Sequence, residues 1–211
     1  MERSLPIVVV FDLGGVLVPG EGSFDDLAAE FGADREDLTR AYWRARDDYD
    51  RGGPSATFWG SVNGELGRGL AADQLDAVDA ARWSSPAPGV VPLLAELRAS
   101  GARLAVLSNA PAAVAAAVRT ALWSAVFEEL LFSCDVGALK PEPAIYRELQ
   151  HRLAVPADQL LFFDDRPVNV AGAQEQGWDA RVWTTLHGGR ADLVTTGLLG
   201  SSASQGGAAH A

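Results

Sequence analysis

The sequence predicts an α/β fold, a parallel sheet covered by helices on both faces, with a block of helices inserted after the first strand. Three observations carry that prediction. Short apolar runs of strand length alternate with longer helical patterns. The runs are apolar throughout rather than at every second residue, as strands buried on both faces are. Between residues 19 and 88 the alternation stops, and only helical patterns remain. Together these describe a Rossmann-like core carrying an inserted helical cap.

The elements follow in order. Strands are expected at 7–11, 103–107, 130–133 and 160–163, each an apolar run bounded by turn residues, with a fifth at 180–184. Helices are expected at 90–100, stopped by Gly101, at 111–122, at 143–153, and at 168–176, stopped by Gly177. The insert offers helices at 23–31, 34–49, 55–66 and 73–83, with Ser23, Asp34, Ser55 and Asp73 suited to their N-caps because a side-chain oxygen can accept from orphaned backbone N–H groups. Linkers rich in Pro, Gly and Ser fall at 19–22 and 84–88. The expected organisation is a core of residues 1–18 and 89–199, a cap of 19–88, and a tail of 200–211 whose Ser, Gly and Ala offer almost nothing to bury.

Composition narrows the function classes. A formal charge of -11 and a pI near 4.6 argue against a protein that works by gripping nucleic acid or an anionic membrane, since both reward clustered cations. A small anionic substrate remains compatible, because a metal and a few local cations override a distant net charge. The lone cysteine, Cys134, excludes an internal disulfide and is expected to be buried in its apolar run, so a reducing cytoplasm is the expected compartment. The apolar stretch ending at Asp12 is too short for a membrane span and lacks a signal-peptide cleavage pattern. His151, His187 and His210 show no metal-ligand spacing.

In an open parallel sheet, reactive groups gather beyond the carboxyl ends of the strands. The first strand ends in Asp12, the second in Ser108 and Asn109, the third leads to Lys140, and the fourth ends in Asp164 and Asp165. Taken singly, Asp12, Ser108, Asn109 and the two later aspartates suit turns or helix caps, and a loop lysine is ordinarily solvated. As a set they hold what phosphoryl chemistry needs: a nucleophile, a hydroxyl for a phosphoryl oxygen, a balancing cation, and carboxylates for a hard metal. Two adjacent aspartates after an apolar strand repel each other and so favour a bound cation.

The segments Phe11-Asp12-Leu13-Gly14-Gly15-Val16-Leu17, Val106-Leu107-Ser108-Asn109, 137–143 around Lys140-Pro141, and 162–169 around Asp164-Asp165 resemble, in that order, the four motifs of the haloacid dehalogenase superfamily of phosphatases and related hydrolases. The resemblance spans about residues 5 to 185, helical cap included. It implies a magnesium-dependent phosphatase acting on a small phosphorylated metabolite. Asp12 would attack phosphorus and form an aspartyl-phosphate, Ser108 and the Asn109 amide would receive phosphoryl oxygens, and Lys140 would pair with both the phosphate and Asp12. The Mg2+ ligands would be Asp12, the carbonyl of Gly14 and Asp165, with Asp164 either a ligand through water or an orienting group, and Asn169 fixing that loop.

The departure is Gly14. Most phosphatases of this family carry there an aspartate that protonates the leaving oxygen and later deprotonates water, a contribution of about two to four powers of ten in rate. Three compensations are open: a leaving group that needs little protonation, a donor from the cap, or assistance from the substrate. On the first, aryl and anomeric phosphates would be cleaved faster than alkyl phosphates. Family members with similar Phe-Asp-Leu-Gly openings include sugar phosphatases. Candidate cap residues facing substrate are Trp43, Arg44, Arg46, Trp59 and Arg68, each with packing or solvation as its ordinary role. Two other readings stand beside the phosphatase: a metal-independent dehalogenase using the same aspartate, which fits Gly14 and Val16 poorly, and a member that binds a phosphorylated ligand or a protein partner without turnover.

Overall fold

β1 (Val8–Phe11) is buried along its whole length, as the all-apolar run requires. The computed structural model describes residues 8–20 and 24–200. β1 lies at the centre of a five-stranded parallel sheet with β2 (Arg103–Ser108), β3 (Glu129–Phe132), β4 (Leu160–Asp164) and β5 (Asp179–Val182), in the order β3-β2-β1-β4-β5. Phe11 pairs with Val106 on one side and Phe163 on the other, so the three central strands end at the same level. Chain order reverses direction at β1, since β2 and β3 lie to one side and β4 and β5 to the other. A crevice opens at the carboxyl ends beside such a reversal.

Between β1 and β2 the chain forms α1 (Asp25–Phe31), α2 (Arg35–Arg44), α3 (Arg46–Asp50), α4 (Ser55–Leu66) and α5 (Ala72–Ser84). These helices bury their own cluster, with Phe24, Tyr42, Phe58 and Trp59 at its centre. Trp83, at the end of α5, belongs instead to the core cluster that contains Phe11 and Leu13. Asp34 caps α2 as expected, accepting from the N–H groups of Glu36 and Asp37. The other expected caps differ: α4 starts after Pro54 with Ser55 already helical, α5 starts after Ala71, and Ser23 lies outside the described residues. The helix expected over 34–49 is two helices, because Ala45 leaves helical geometry (φ -108°, ψ 5°) and the chain restarts with Arg46 and Asp50 buried. Apolar periodicity does not register a break whose buried residues are charged.

The rest of the chain supplies α6 (Val90–Ala99), α7 (Ala112–Thr120), α8 (Ser133–Val136), α9 (Pro143–Leu153), α10 (Pro167–Glu175) and α11 (Leu186–Thr195). Alternate strand residues point to opposite faces. Val9, Phe11, Val106 and Phe163 pack with α6, α7 and α11, while Val10, Ala105, Leu107 and Phe162 pack with α9 and α10. β3 begins one residue earlier than expected, because Ser133 opens α8, and β5 covers 179–182 rather than 180–184. α11 was not expected, since Gly188 and Gly189 weaken a helical reading. Packing requires the second glycine: a Cβ at Gly189 would sit 1.9 Å from the Trp183 ring. Cys134 is half-buried rather than buried, and burial together with Asp135 pushes its thiol up to about 11. Residues 201–211, and with them most of the expected tail and His210, lie outside the described residues. Among the described residues, no helix is long and apolar enough to cross a membrane.

Candidate active site

Asp12 follows β1 directly, and its N–H donates to the carbonyl of Phe163, which carries the ladder one residue beyond the strand. The next turn is tight. Leu13 O accepts from the N–H groups of Val16, Leu17 and Val18, at 3.2, 2.8 and 2.9 Å, while no donor among the described residues reaches the carbonyl of Gly14. Gly15 makes the turn possible at φ +71°, and a Cβ there would lie 2.4 Å from Asp165 Oδ2. The loops after β1 and β4 therefore touch at a residue that must be glycine.

Lys140 joins the strand ends. Its Nζ lies 2.9 Å from Asp12 Oδ1, 2.6 Å from Asp164 Oδ2 and 2.9 Å from the carbonyl of Leu107, so all three ammonium hydrogens are directed at oxygen. Burial alone would lower its pKa, but the Asp12 and Asp164 carboxylates outweigh burial and hold it above the ordinary lysine value. Asp12 Oδ1 also accepts from the N–H of Leu13 at 2.7 Å, which fixes the carboxylate's rotation. Burial, with Asp164 adding to it and Lys140 and Ser108 opposing, pushes Asp12 up to about 7.

Asp164 is fully buried and held on every side: by Lys140, by the N–H of Arg166 at 2.9 Å, and by Asn169 Nδ2 at 3.0 and 3.1 Å. Asn169 does fix the loop, as expected. Asp165 is exposed, and its carboxyl is raised by partial burial and by Asp164. Ser108 is buried beside Asp12 at the cavity wall. Asn109 lines the cavity beside Ser108, and both ends of its side chain clamp the backbone of Lys140, Nδ2 donating to the carbonyl at 3.1 Å and Oδ1 accepting from the N–H at 2.8 Å. The side chain positions the lysine, and among the described residues the backbone N–H of Asn109 has no acceptor.

The residues present suit a divalent cation. Oxygens of Asp12, Asp164 and Asp165 lie within 4.8 Å of one another, with one ammonium among them. Among the described residues, the Gly14 carbonyl has no donor and Asn169 Oδ1 is buried without a hydrogen-bond partner.

These groups open on a cavity of about 370 Å3, closed on its other side by the inserted helices through Trp43, Arg46, Asp47, Asp50 and Trp83. Of the five insert residues considered from sequence, Trp43 and Arg46 line it. Trp59 is buried and donates to Asp76, Arg44 pairs with Glu65, and Arg68 donates to the carbonyls of Phe31 and Gly32. Sequence reading missed Trp83, whose ring lies 2.9 Å from where a Cβ at Gly14 would stand. It also missed Asp47 and Asp50, and nothing but their position in a broken helix distinguishes them from solvated charges. His151 and His187 lie on α9 and α11, away from the cavity lining.

Residues 8–177 match the family described as haloacid dehalogenase-like hydrolase. A protein named Phosphatase MT3486, from Mycobacterium tuberculosis (strain CDC 1551 / Oshkosh), is 32% identical over 212 residues, covering 90% of this chain and 95% of its own length. A plasmid-borne phosphoglycolate phosphatase of Cupriavidus necator is 32% identical over 153 residues, 61% of this chain and 66% of its own. Among solved structures, the fold resembles a haloacid dehalogenase family enzyme of Bacteroides thetaiotaomicron in complex with magnesium and inorganic phosphate (TM-score 0.61, 21% identity, 83% of this chain and 92% of that one). It also resembles the L-2-haloacid dehalogenase of Xanthobacter autotrophicus (TM-score 0.66, 20% identity, 90% and 82%). The chain belongs to the haloacid dehalogenase-like hydrolase family.

Proposed function

We propose that this hydrolase is a magnesium-dependent phosphatase that cleaves a small phosphorylated metabolite through an aspartyl-phosphate on Asp12. The observation that carries the reading is Lys140, buried and bridging Asp12 and Asp164 within reach of Asp165. A carboxylate nucleophile meeting an anionic phosphoryl group needs more positive charge than one ammonium provides. Asp12, Asp165 and the Gly14 carbonyl would hold Mg2+, with Asp164 orienting them. The ion supplies the positive charge that lets one anion approach another. Asp12 attacks phosphorus in line with the leaving oxygen, Ser108 donates to a phosphoryl oxygen, and Lys140 offsets the charge that collects on Asp12. Water then cleaves the acyl phosphate.

The dehalogenase reading shares the nucleophile but leaves Asp165, and a Gly14 carbonyl that no donor among the described residues reaches, without a role. The M. tuberculosis and C. necator relatives, by their names, support phosphate ester hydrolysis. Sugar phosphates belong at the head of the substrate panel, because the tryptophans and aspartates lining the insert side of the cavity suit a hydroxylated leaving group. Phosphoglycolate belongs there as the relatives' substrate. Phosphate release from that panel, with and without Mg2+, tests the reading. Release that needs both Mg2+ and Asp12 is expected, and turnover undiminished by a chelator or by Asp12→Asn would contradict it.

A further inference from the structure

We propose that Asp50, on the inserted helices, is the proton donor to the leaving group and the base toward water, the task for which position 14 carries no side chain. The inference rests on the phosphatase reading above. Position 14 itself has no room, because the Trp83 ring fills the space where a side chain would begin. The acid must come from elsewhere on the cavity wall. Beyond the groups already assigned, the titratable residues lining the cavity among the described residues are Arg46, Asp47, Asp50 and Arg166. Arginine does not give up a proton in a protein. The choice is between Asp47, which is exposed, and Asp50, which is buried at 5% exposure.

Hydrogen bonding leaves Asp50 with one carboxyl oxygen that no donor among the described residues occupies. Arg46, itself buried, donates from Nε to Asp50 Oδ1 at 2.6 Å and from NH1 to Asp79 Oδ2 at 3.2 Å. Tyr42 Oη accepts from Trp83 Nε1 at 3.0 Å, so its own hydrogen goes to Asp79 Oδ1 at 2.8 Å. Asp79 therefore has a donor on each oxygen, while burial raises its carboxyl against the opposing pull of Arg46 and Arg82. Asp50 has a donor on Oδ1 alone. Among the described residues nothing donates to Asp50 Oδ2, and that oxygen is not among the atoms sealed from solvent without a partner. Burial raises the Asp50 carboxyl to about 6, against the opposing pull of Arg46, which suits a group that must both give and take a proton near neutrality.

Asp50 is also tied to the phosphate side of the cavity. Its carbonyl accepts from Ser133 Oγ at 2.5 Å, and the same Oγ accepts from the N–H of Ala110 at 2.9 Å, two residues past Ser108. One network thus runs from the ring that occupies position 14, through Tyr42, Asp79 and Arg46, to the carboxyl that replaces it.

The step balances. As the Asp12 oxygen bonds to phosphorus, the bond to the leaving oxygen breaks with its electron pair, and that oxygen takes the proton from Asp50. In the second half, water attacks phosphorus, its proton returns to Asp50, and Asp12 leaves as carboxylate. Asp50 then acts in place of a good leaving group, and the aryl-over-alkyl preference implied by Gly14 alone describes the enzyme without Asp50.

The test compares the wild type, Asp50→Asn and Asp47→Asn on p-nitrophenyl phosphate, whose leaving group departs without a proton, and on phenyl phosphate and a primary alkyl phosphate, whose leaving groups need one. The wild type should show a shallow dependence of kcat on leaving-group pKa. Asp50→Asn should lose roughly a hundredfold more on phenyl and alkyl phosphates than on p-nitrophenyl phosphate, while Asp47→Asn keeps the wild-type dependence. Equal loss by Asp50→Asn on all three, or a selective loss in Asp47→Asn, overturns the assignment. If Asp50→Asn does not fold, a steep dependence in the wild type alone overturns it. No hydrolysis of any ester by the wild type with Mg2+ removes the phosphatase reading, and this inference with it.

Discussion

The molecule builds the same charged arrangement twice, once in the sheet core and once in the inserted helices. In the core, Lys140 bridges the carboxylates of Asp12 and Asp164 and sits 5.4 Å from the centre of the Phe162 ring. In the insert, Arg46 bridges Asp50 and Asp79 and sits 4.7 Å from the centre of the Tyr42 ring. Each is one buried cation between two buried carboxyls, an arrangement that costs several kcal/mol if either sign is left unpaired. The difference is in how the partners are supplied. The core draws them from the ends of parallel strands, where topology forces convergence. The insert draws two from a short helix, Arg46 and Asp50 four residues apart, and the third from α5. Strand ends advertise a site and helix surfaces do not.

Removing the core cation should have the largest effect. Lys140→Met leaves Asp12 and Asp164 buried together and should cost about 3–5 kcal/mol of stability along with essentially all turnover. Denaturant unfolding and phosphate release measure the two, and a stable, active variant would break the parallel between the clusters. Next is a pH effect confined to the insert. The Asp50 carboxyl is raised from 3.8 to about 6 by burial, so between those values the folded state binds more protons than the unfolded one and stability falls as pH rises. The advantage of wild type over Asp50→Asn should therefore shrink from pH 4 to pH 7, by at most about 3 kcal/mol. Thermal melts of both proteins across that range check the sign, and a growing advantage would contradict it.

Much of this was legible in the sequence. The alternation of apolar runs and helical patterns located all five strands to within about two residues, because strands buried on both faces leave no ambiguity of side. Asp12, Ser108, Lys140, Asp164 and Asp165 stand out at or just beyond strand ends; four of them line one cavity, and Asp164 lies buried behind Lys140. What stayed hidden was relational. The sequence gives no sign that the Asn109 side chain holds the Lys140 backbone. Asp50 and Asp79 read as solvated helix charges, since sequence periodicity cannot show that an arginine is buried between them. Trp83 reads as a helix end, although its ring explains why position 14 is glycine.

Two smaller effects follow from those hidden relations. Asn109→Ala removes both hydrogen bonds that hold the Lys140 backbone and should cost about 1–3 kcal/mol, with kcat reduced more than KM is raised. The opposite split would give the Asn109 side chain itself a part in substrate binding. Gly14→Asp restores the residue common in the family but drives it into the Trp83 ring, so stability should drop by about 1–2 kcal/mol with no gain on alkyl phosphates. A faster enzyme would show that Asp50 is not the acid.

The proposed intermediate places the phosphoryl group on Asp12. Enzyme mixed with Mg2+ and a substrate, quenched in acid within one turnover and weighed intact, should show a fraction heavier by one phosphoryl group, located on Asp12 and absent from Asp12→Asn. Steady phosphate release with no such species at any quench time, or the same species in Asp12→Asn, would contradict the account.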